Sequence, residues 1–174
     1  MMAGGIADSV FPGAVLLCAR GNEILFHGAY GVTDLSIQRP METNAIFDLA
    51  SLTKPLATAL AVSELVRAGK VSLDTKLGDV IPAVLKTPKA DISIDMLLRH
   101  TSGLPAHREF FLSMIKENQV KARQAPREVL RRLIVQEPLE ADPGHQEVYS
   151  DLGYMFLSWV VETLSGQRLD RFVR

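Results

Sequence analysis

Cysteine is nearly absent: Cys18 is the single one in 174 residues. It leaves no route to an intramolecular disulfide framework or a cysteine-rich zinc site. Net charge is nearly absent too. Nineteen Lys and Arg face 20 Asp and Glu, a formal charge of −1. No basic excess points to nucleic acid, and no acidic excess points to a solvating tail. Long apolar runs are missing; stretches such as residues 14–19 and 159–161 fall far short of the ~20 residues a membrane-spanning helix needs. Residues 1–10 contain no basic patch followed by an apolar core, so there is no recognisable signal peptide, and a cytoplasmic protein is the default expectation. Repeats and low-complexity segments are lacking. The four histidines, His27, His100, His107 and His145, show no metal-ligand spacing. What remains is ordinary for a globular chain, 47% hydrophobic and 22% charged. A domain of this size buries roughly 68–70% of the surface its unfolded chain exposes.

Residues 13–30 read as a β-hairpin. An apolar run at 14–19 meets the turn signal Arg20-Gly21-Asn22 and then a looser alternation over 23–30. Cys18, inside that apolar strand, is expected to be a small buried hydrophobe. Residues 31–43 are polar and carry Pro40, a connection. A helix is predicted over about 52–68, with Leu56, Ala59, Leu60, Val62, Leu65 and Val66 as its inward stripe, Pro55 in its first turn and Gly69 at its end. Residues 70–82 read as a loop. Ser93 caps a short helix over 94–99, which stops at His100-Thr101-Ser102-Gly103-Leu104-Pro105. Residues 108–121 are loosely helical. Pro126 opens a helix to about Gln136 with Val129, Leu130, Leu133 and Ile134 inward. Ser150 or Asp151 caps a last long helix to Ser165, ended by Gly166, with Phe156, Trp159 and Val160 as core, and 169–174 begins one more turn. The basic residues Lys116, Lys121, Arg123, Arg127, Arg131 and Arg132 read as a solvated helix face, and Phe110, Phe111 and Met114 as core or as a pocket lining. The division is a sheet part over 11–50 and a mainly helical part over 51–174. A hairpin alone is marginal, and no further convincing strand follows.

Chemistry concentrates at Ser51-Leu52-Thr53-Lys54-Pro55. A serine at a helix start and a lysine three residues on share one face, so the amine can reach the hydroxyl. Serine needs an adjacent base to become a nucleophile. Lysine serves only if its pKa falls toward neutrality, which burial and a positive helix end favour. Unpaired N–H groups at the helix start can face an oxyanion. The pattern is weak alone. Ser113-Met114-Ile115-Lys116 repeats it in mid-helix, and an isolated Ser51 fits a helix cap equally well.

Further along, Tyr149-Ser150-Asp151 precedes another helix. Together with Pro12-Gly13-Ala14-Val15, Phe47-Asp48-Leu49-Ala50-Ser51-Leu52-Thr53-Lys54, Gly69-Lys70-Val71-Ser72-Leu73-Asp74, the segment from Ile92 to Leu104, and Pro143-Gly144, it resembles the serine beta-lactamase and penicillin-binding-protein-like hydrolases, most of all the class C beta-lactamase-like and esterase branch. The resemblance runs through most of the chain, in the family's order. It implies an α/β (α+β) beta-lactamase-like fold represented by its N-terminal hairpin and helical region. It also implies acyl transfer with Ser51 as nucleophile, Lys54 as base, Tyr149 as shared acid or base and the Ser51 N–H as one oxyanion donor. No metal or organic cofactor is implied, and the partner is a small ester or amide.

Two departures stand out. The second motif ends in Asp151 where the family usually has asparagine; a carboxylate cannot donate to a substrate carbonyl, and beside Lys54 it favours the ammonium. The third motif, a short Lys-Thr-Gly-like triad, is absent, as are the strands that would complete the sheet. The expectation is therefore an esterase-like hydrolase represented by its N-terminal portion. The alternatives are a beta-lactamase or D-alanyl peptidase, or a non-catalytic remnant or binding module. Substrate identity and oligomeric state are open.

Overall fold

The computed structural model describes residues 2–116 and 126–174. The chain divides into two compact units, residues 1–49 and 50–174. In the first, a short helix α1 (Met2–Ala7) precedes strands β1 (Gly13–Arg20) and β2 (Glu23–Gly31). The strands pair antiparallel from Gly13↔Gly31 to Arg20↔Glu23, with an irregularity between Cys18 and Ala19. Gly21, at φ 59°, opens the two-residue turn. At the other end a side chain on Gly31 would meet the Pro12 carbonyl at 2.3 Å, so the strand ends close only with glycine there. Beyond β2, the Asp34 carboxylate accepts the Ser36 and Ile37 N–H groups and folds residues 33–39 into a tight loop.

Among the described residues this sheet has two strands. That overturns the expected burial of Cys18, which is exposed. Leu17, Ile24, Leu25 and Phe26 are exposed around it. Among the described residues no layer of side chains covers the turn end of the hairpin, and an apolar strand residue there stays in solvent.

The second unit is helical. Its elements are α2 (Leu60–Arg67), α3 (Leu77–Val80), α4 (Ile94–Leu98), α5 (Phe110–Lys116), α6 (Pro126–Gln136), α7 (Asp151–Ser165) and α8 (Leu169–Phe172). Helix α7 is the centre. Leu152, Phe156, Leu157, Val160 and Val161 form one face, each at most marginally accessible, against Ala61, Val62 and Leu65 of α2, Leu77 of α3 and Leu97 of α4. Each such burial is worth about 1.5–3 kcal/mol. Ser93 and Ser150 cap α4 and α7 through their hydroxyls, and Gly166 ends α7 at φ 69°. Helix α6 has the expected bounds, with Val129 and Ile134 buried.

Several expectations change here. The helix over 52–68 is not uniform: a 3₁₀ turn (Ala50–Leu52) and a π-helical turn (Lys54–Ala59) precede α2. Pro55, in that first turn, supplies no N–H. The wider turn rotates the stripe: Leu56 and Leu60 are exposed, with Leu52, while Ala61, Val62 and Leu65 face the core. The loop over 70–82 contains α3, pinned by an isolated bridge between Lys76 and Ser93. The basic face is partly engaged. Arg127 and Arg131 both bind Glu162 of α7, at 2.9 and 2.8 Å, and the Arg131 guanidinium lies 4.8 Å from the Trp159 ring centroid. Trp159 is accordingly half-buried rather than core. Phe110 is buried and Phe111 exposed. Lys121 and Arg123, and the helical reading of 117–121, lie outside the described residues.

Candidate active site

Ser51 lies in the 3₁₀ turn and is exposed. Ala50 before it sits at φ 44°, in the left-handed region that an alanine rarely adopts. One turn on, Lys54 Nζ donates to Ser51 Oγ at 3.2 Å. The same ammonium binds Asp151 Oδ1 at 2.6 Å, across 97 residues of sequence. The Tyr149 phenol faces Ser51 and Lys54, and both act on its ionisation. Lys54 Nζ also lies 4.8 Å from the Tyr149 ring centroid and 5.9 Å from that of Tyr154. The four residues singled out in the sequence thus meet in one cluster.

The segment carrying Tyr149 and Asp151 is tied to the loop after α4. Val148 N–H donates to the His100 carbonyl, Ser150 Oγ to the Pro105 carbonyl at 2.6 Å, and Asp151 N–H to the Ala106 carbonyl. His107 Nδ1 meets Asp151 Oδ2 at 2.9 Å. Asp151 therefore has a nitrogen partner on each carboxylate oxygen.

Electrostatics follow from these contacts. Partial burial pushes the Lys54 amine down, but the bonds from Lys54 to Asp151 and Tyr149 outweigh it and hold the ammonium above its ordinary value of 10.5. Bringing that amine to neutrality would need about 4–5 kcal/mol of preference for the uncharged form, at about 1.4 kcal/mol per pH unit. The ion pair supplies the opposite sign. The Tyr149 phenol moves the other way, lowered first by the neighbouring Ser51 hydroxyl and then by Lys54. Burial raises the Asp151 carboxyl, yet Lys54 and His107 together leave it below its ordinary value.

A groove of about 340 Å³ opens beside Lys54 and Asp151, walled by Thr53, Tyr154, Met155 and Trp159 among others. Ser51 and Tyr149 are not among its walls, so it flanks the reacting atoms rather than containing them.

In the sequence His100 and His107 show no metal-ligand spacing and nothing that ties them to the site. His100 and His107 contact Ser150 and Asp151 across 50 and 44 residues, a separation without local signature. The available signal was the density of His, Ser and Gly in the stretch after α4.

The Beta-lactamase family profile matches residues 1–174. An N-acetylmuramyl-L-alanine amidase of Bacillus subtilis is 35% identical over 92% of this chain and 38% of its own length. A penicillin binding protein from Bacillus halodurans superposes with a TM-score of 0.70 at 30% identity, covering 90% of this chain and 46% of that one. EstCE1, a hydrolase with promiscuous acyltransferase activity, gives 0.78 at 26% identity, covering 99% and 47%. The chain spans about two fifths of the length of the curated relatives it matches. No helix among the described residues is long and apolar enough to cross a membrane.

Proposed function

This chain belongs to the Beta-lactamase family, and from that premise we propose that it carries the nucleophile half of a serine hydrolase acting through an acyl-enzyme on an ester or amide. The observation that carries the reading is the cluster of Ser51, Lys54 and Tyr149, assembled from two distant segments: Lys54 bonds both Ser51 and Asp151 and lies against the Tyr149 ring. An amidase and a hydrolase among its relatives support the reaction class.

In the proposed reaction the Ser51 Oγ lone pair attacks the substrate carbonyl carbon. Tyr149 enters as the phenolate, and the Ser51 proton passes to its oxygen. Lys54 remains an ammonium, lowering the phenol's proton affinity and orienting Oγ. The Ser51 N–H faces the developing oxyanion, a contribution of about 10²–10³-fold for one donor. Tyr149 then returns the proton to the leaving oxygen or nitrogen as its bond to the acyl carbon breaks. Water attacks the acyl ester with Tyr149 again taking the proton, and Tyr149 gives it to Ser51 Oγ as the acyl–oxygen bond breaks. Such acid–base help is worth about 10²–10⁴-fold. A second reading makes Lys54 the base; its 3.2 Å contact with Ser51 Oγ favours it, and its raised pKa opposes it. Tyr149→Phe separates them, leaving most of the rate if Lys54 is the base.

Asp151 shapes the substrate. A carboxylate only accepts hydrogen bonds, so a substrate whose acyl-amide carbonyl needs a donor at this position is disfavoured relative to a simple ester. Hydrolysis of a short p-nitrophenyl ester and of a chromogenic cephalosporin by the full-length protein tests the proposal. The expected result is faster ester turnover that is lost in Ser51→Ala. Ester turnover that survives in Ser51→Ala would refute Ser51 as nucleophile, and faster cephalosporin turnover would refute the ester preference.

A further inference from the structure

His100 follows helix α4 with φ 60°. Its N–H reaches back to Leu97 O and the Thr101 N–H to Met96 O, at 3.4 and 2.8 Å. This closure goes with a left-handed residue just past a helix end, a place usually taken by glycine and sometimes by asparagine. A histidine is strained there, and its side chain makes contacts that glycine could not. Its Nδ1 accepts the Ser150 N–H at 3.0 Å. Its ring centroid lies 4.5 Å from that of Tyr149 and 5.1 Å from that of Tyr154. Its backbone carbonyl accepts from Val148 N–H. One residue thus holds the backbone on both sides of Tyr149 and also packs against the Tyr149 ring.

The ring is half-buried. The titratable groups around it are Lys54 from the π turn, Glu147 and Tyr149 from the preceding loop, and Asp151 and Tyr154 from α7. Burial first, and Lys54 second, lower its pKa. A neutral imidazole with an unprotonated Nδ1 is what the Ser150 N–H requires.

We propose that the His100 imidazole is a positioning residue for Tyr149, holding the phenol against Ser51 and Lys54 by ring contact and by fixing Ser150. This rests on Tyr149 being the proton-transfer group of the proposed reaction. Tyr154 OH donates to the Leu98 carbonyl at 3.3 Å, which fixes the second ring packed against the imidazole. His100 acts through Tyr149 rather than on the reacting atoms. Without the ring, the phenol can rotate into solvent, since Tyr149 is already 52% exposed.

The test uses His100→Asn in the full-length protein. Asparagine accepts the left-handed backbone and offers an oxygen to Ser150 N–H, but supplies no ring. Two measurements are made. One is the titration of the Tyr149 phenol by NMR of tyrosine-labelled protein, assigned against Tyr149→Phe. The other is the pH profile of Ser51 phosphonylation by a fluorophosphonate. The expected result for His100→Asn is unchanged melting, a Tyr149 titration moved up toward free tyrosine, and labelling about tenfold slower at neutral pH. The rising limb of its pH profile should move up with the phenol. His100→Ala should do the same with some loss of stability. A folded His100→Asn protein whose Tyr149 titration and labelling match wild type would overturn the proposal. So would slower labelling with the phenol titration unmoved, since a merely structural role predicts that. Failure of the Tyr149 reading looks different: Tyr149→Phe would then label at the wild-type rate, whatever His100 does to the phenol titration.

Discussion

Among the described residues, the first unit (1–49) holds no fully buried apolar side chain, whereas the second (50–174) closes a core around α7. In the hairpin, Leu17, Ile24, Leu25 and Phe26 remain exposed. In the helical unit, α7 alone buries Leu152, Phe156, Leu157, Val160 and Val161 completely. The difference is geometric. A helix presents one stripe, which neighbouring helices can cover, so a core closes locally. A strand presents two faces, and a two-stranded ribbon covers neither without another layer. The candidate site lies on the side of this divide where positions are over-determined. Ser51, Lys54, His100, His107, Tyr149 and Asp151 all belong to the helical unit, and the Tyr149 segment is held there by Val148, Ser150 and Asp151 backbone bonds.

The sharpest way to break the contrast is a pair of phenylalanine truncations. Phe156→Ala removes a fully buried ring and should cost about 3–5 kcal/mol in urea unfolding. Phe26→Ala removes a 43% exposed ring stacked on Tyr30 and should cost less than about 1 kcal/mol. Equal losses would mean that the hairpin is as well packed as the helical unit.

A smaller effect is expected at Ser150. Its hydroxyl caps α7 at Gly153 N–H and donates to the Pro105 carbonyl, and it is buried. Ser150→Ala should lower stability by about 1–3 kcal/mol, read by the same unfolding.

Acid sharpens the comparison further. The folded Asp151 carboxyl lies below its ordinary value of 3.8. Its contribution is therefore full above the unfolded pKa and is lost as pH falls through the folded one. His100 adds to the trend. Its folded pKa lies below 6.5, so stability declines as pH drops from about that value toward the folded pKa. Both groups are in the helical unit. Asp151→Asn should flatten the lowest part of the stability–pH curve and leave the decline starting near 6.5, measured by thermal melts across pH. An unchanged curve would count against the ion pair with Lys54.

The smallest expected difference concerns Cys18. An exposed thiol at the hairpin should react with a maleimide in the native protein within about tenfold of its rate in denaturant. Strong native protection would show that something covers the hairpin.

How much of this was legible in the sequence follows from distance along the chain. The caps at Ser93 and Ser150, the stop at Gly166 and the stripe of α6 are written within a few neighbouring residues, and they stand where local rules place them. Ser51 and Lys54 are one turn apart, so their contact was readable from spacing. Their meeting with Tyr149 and Asp151 was available only through resemblance to a family, because no periodicity links residues 97 apart. The π turn was not legible: the apolar spacing over 56–66 fits a uniform helix, and the widened turn instead turns Leu56 and Leu60 outward. The burial expected of Cys18 failed because a strand's environment is set by neighbours that the strand's own sequence does not name.

The central claim is that Ser51 is activated by its contacts with Lys54 and Tyr149. The most direct measurement is the intact mass of the full-length protein after a fluorophosphonate probe, with the adduct mapped by peptide sequencing. The account expects one adduct, on Ser51, absent from Ser51→Ala and formed about 10²–10⁴-fold more slowly in Tyr149→Phe. No adduct on the folded protein, or an adduct that persists in Ser51→Ala, would contradict it.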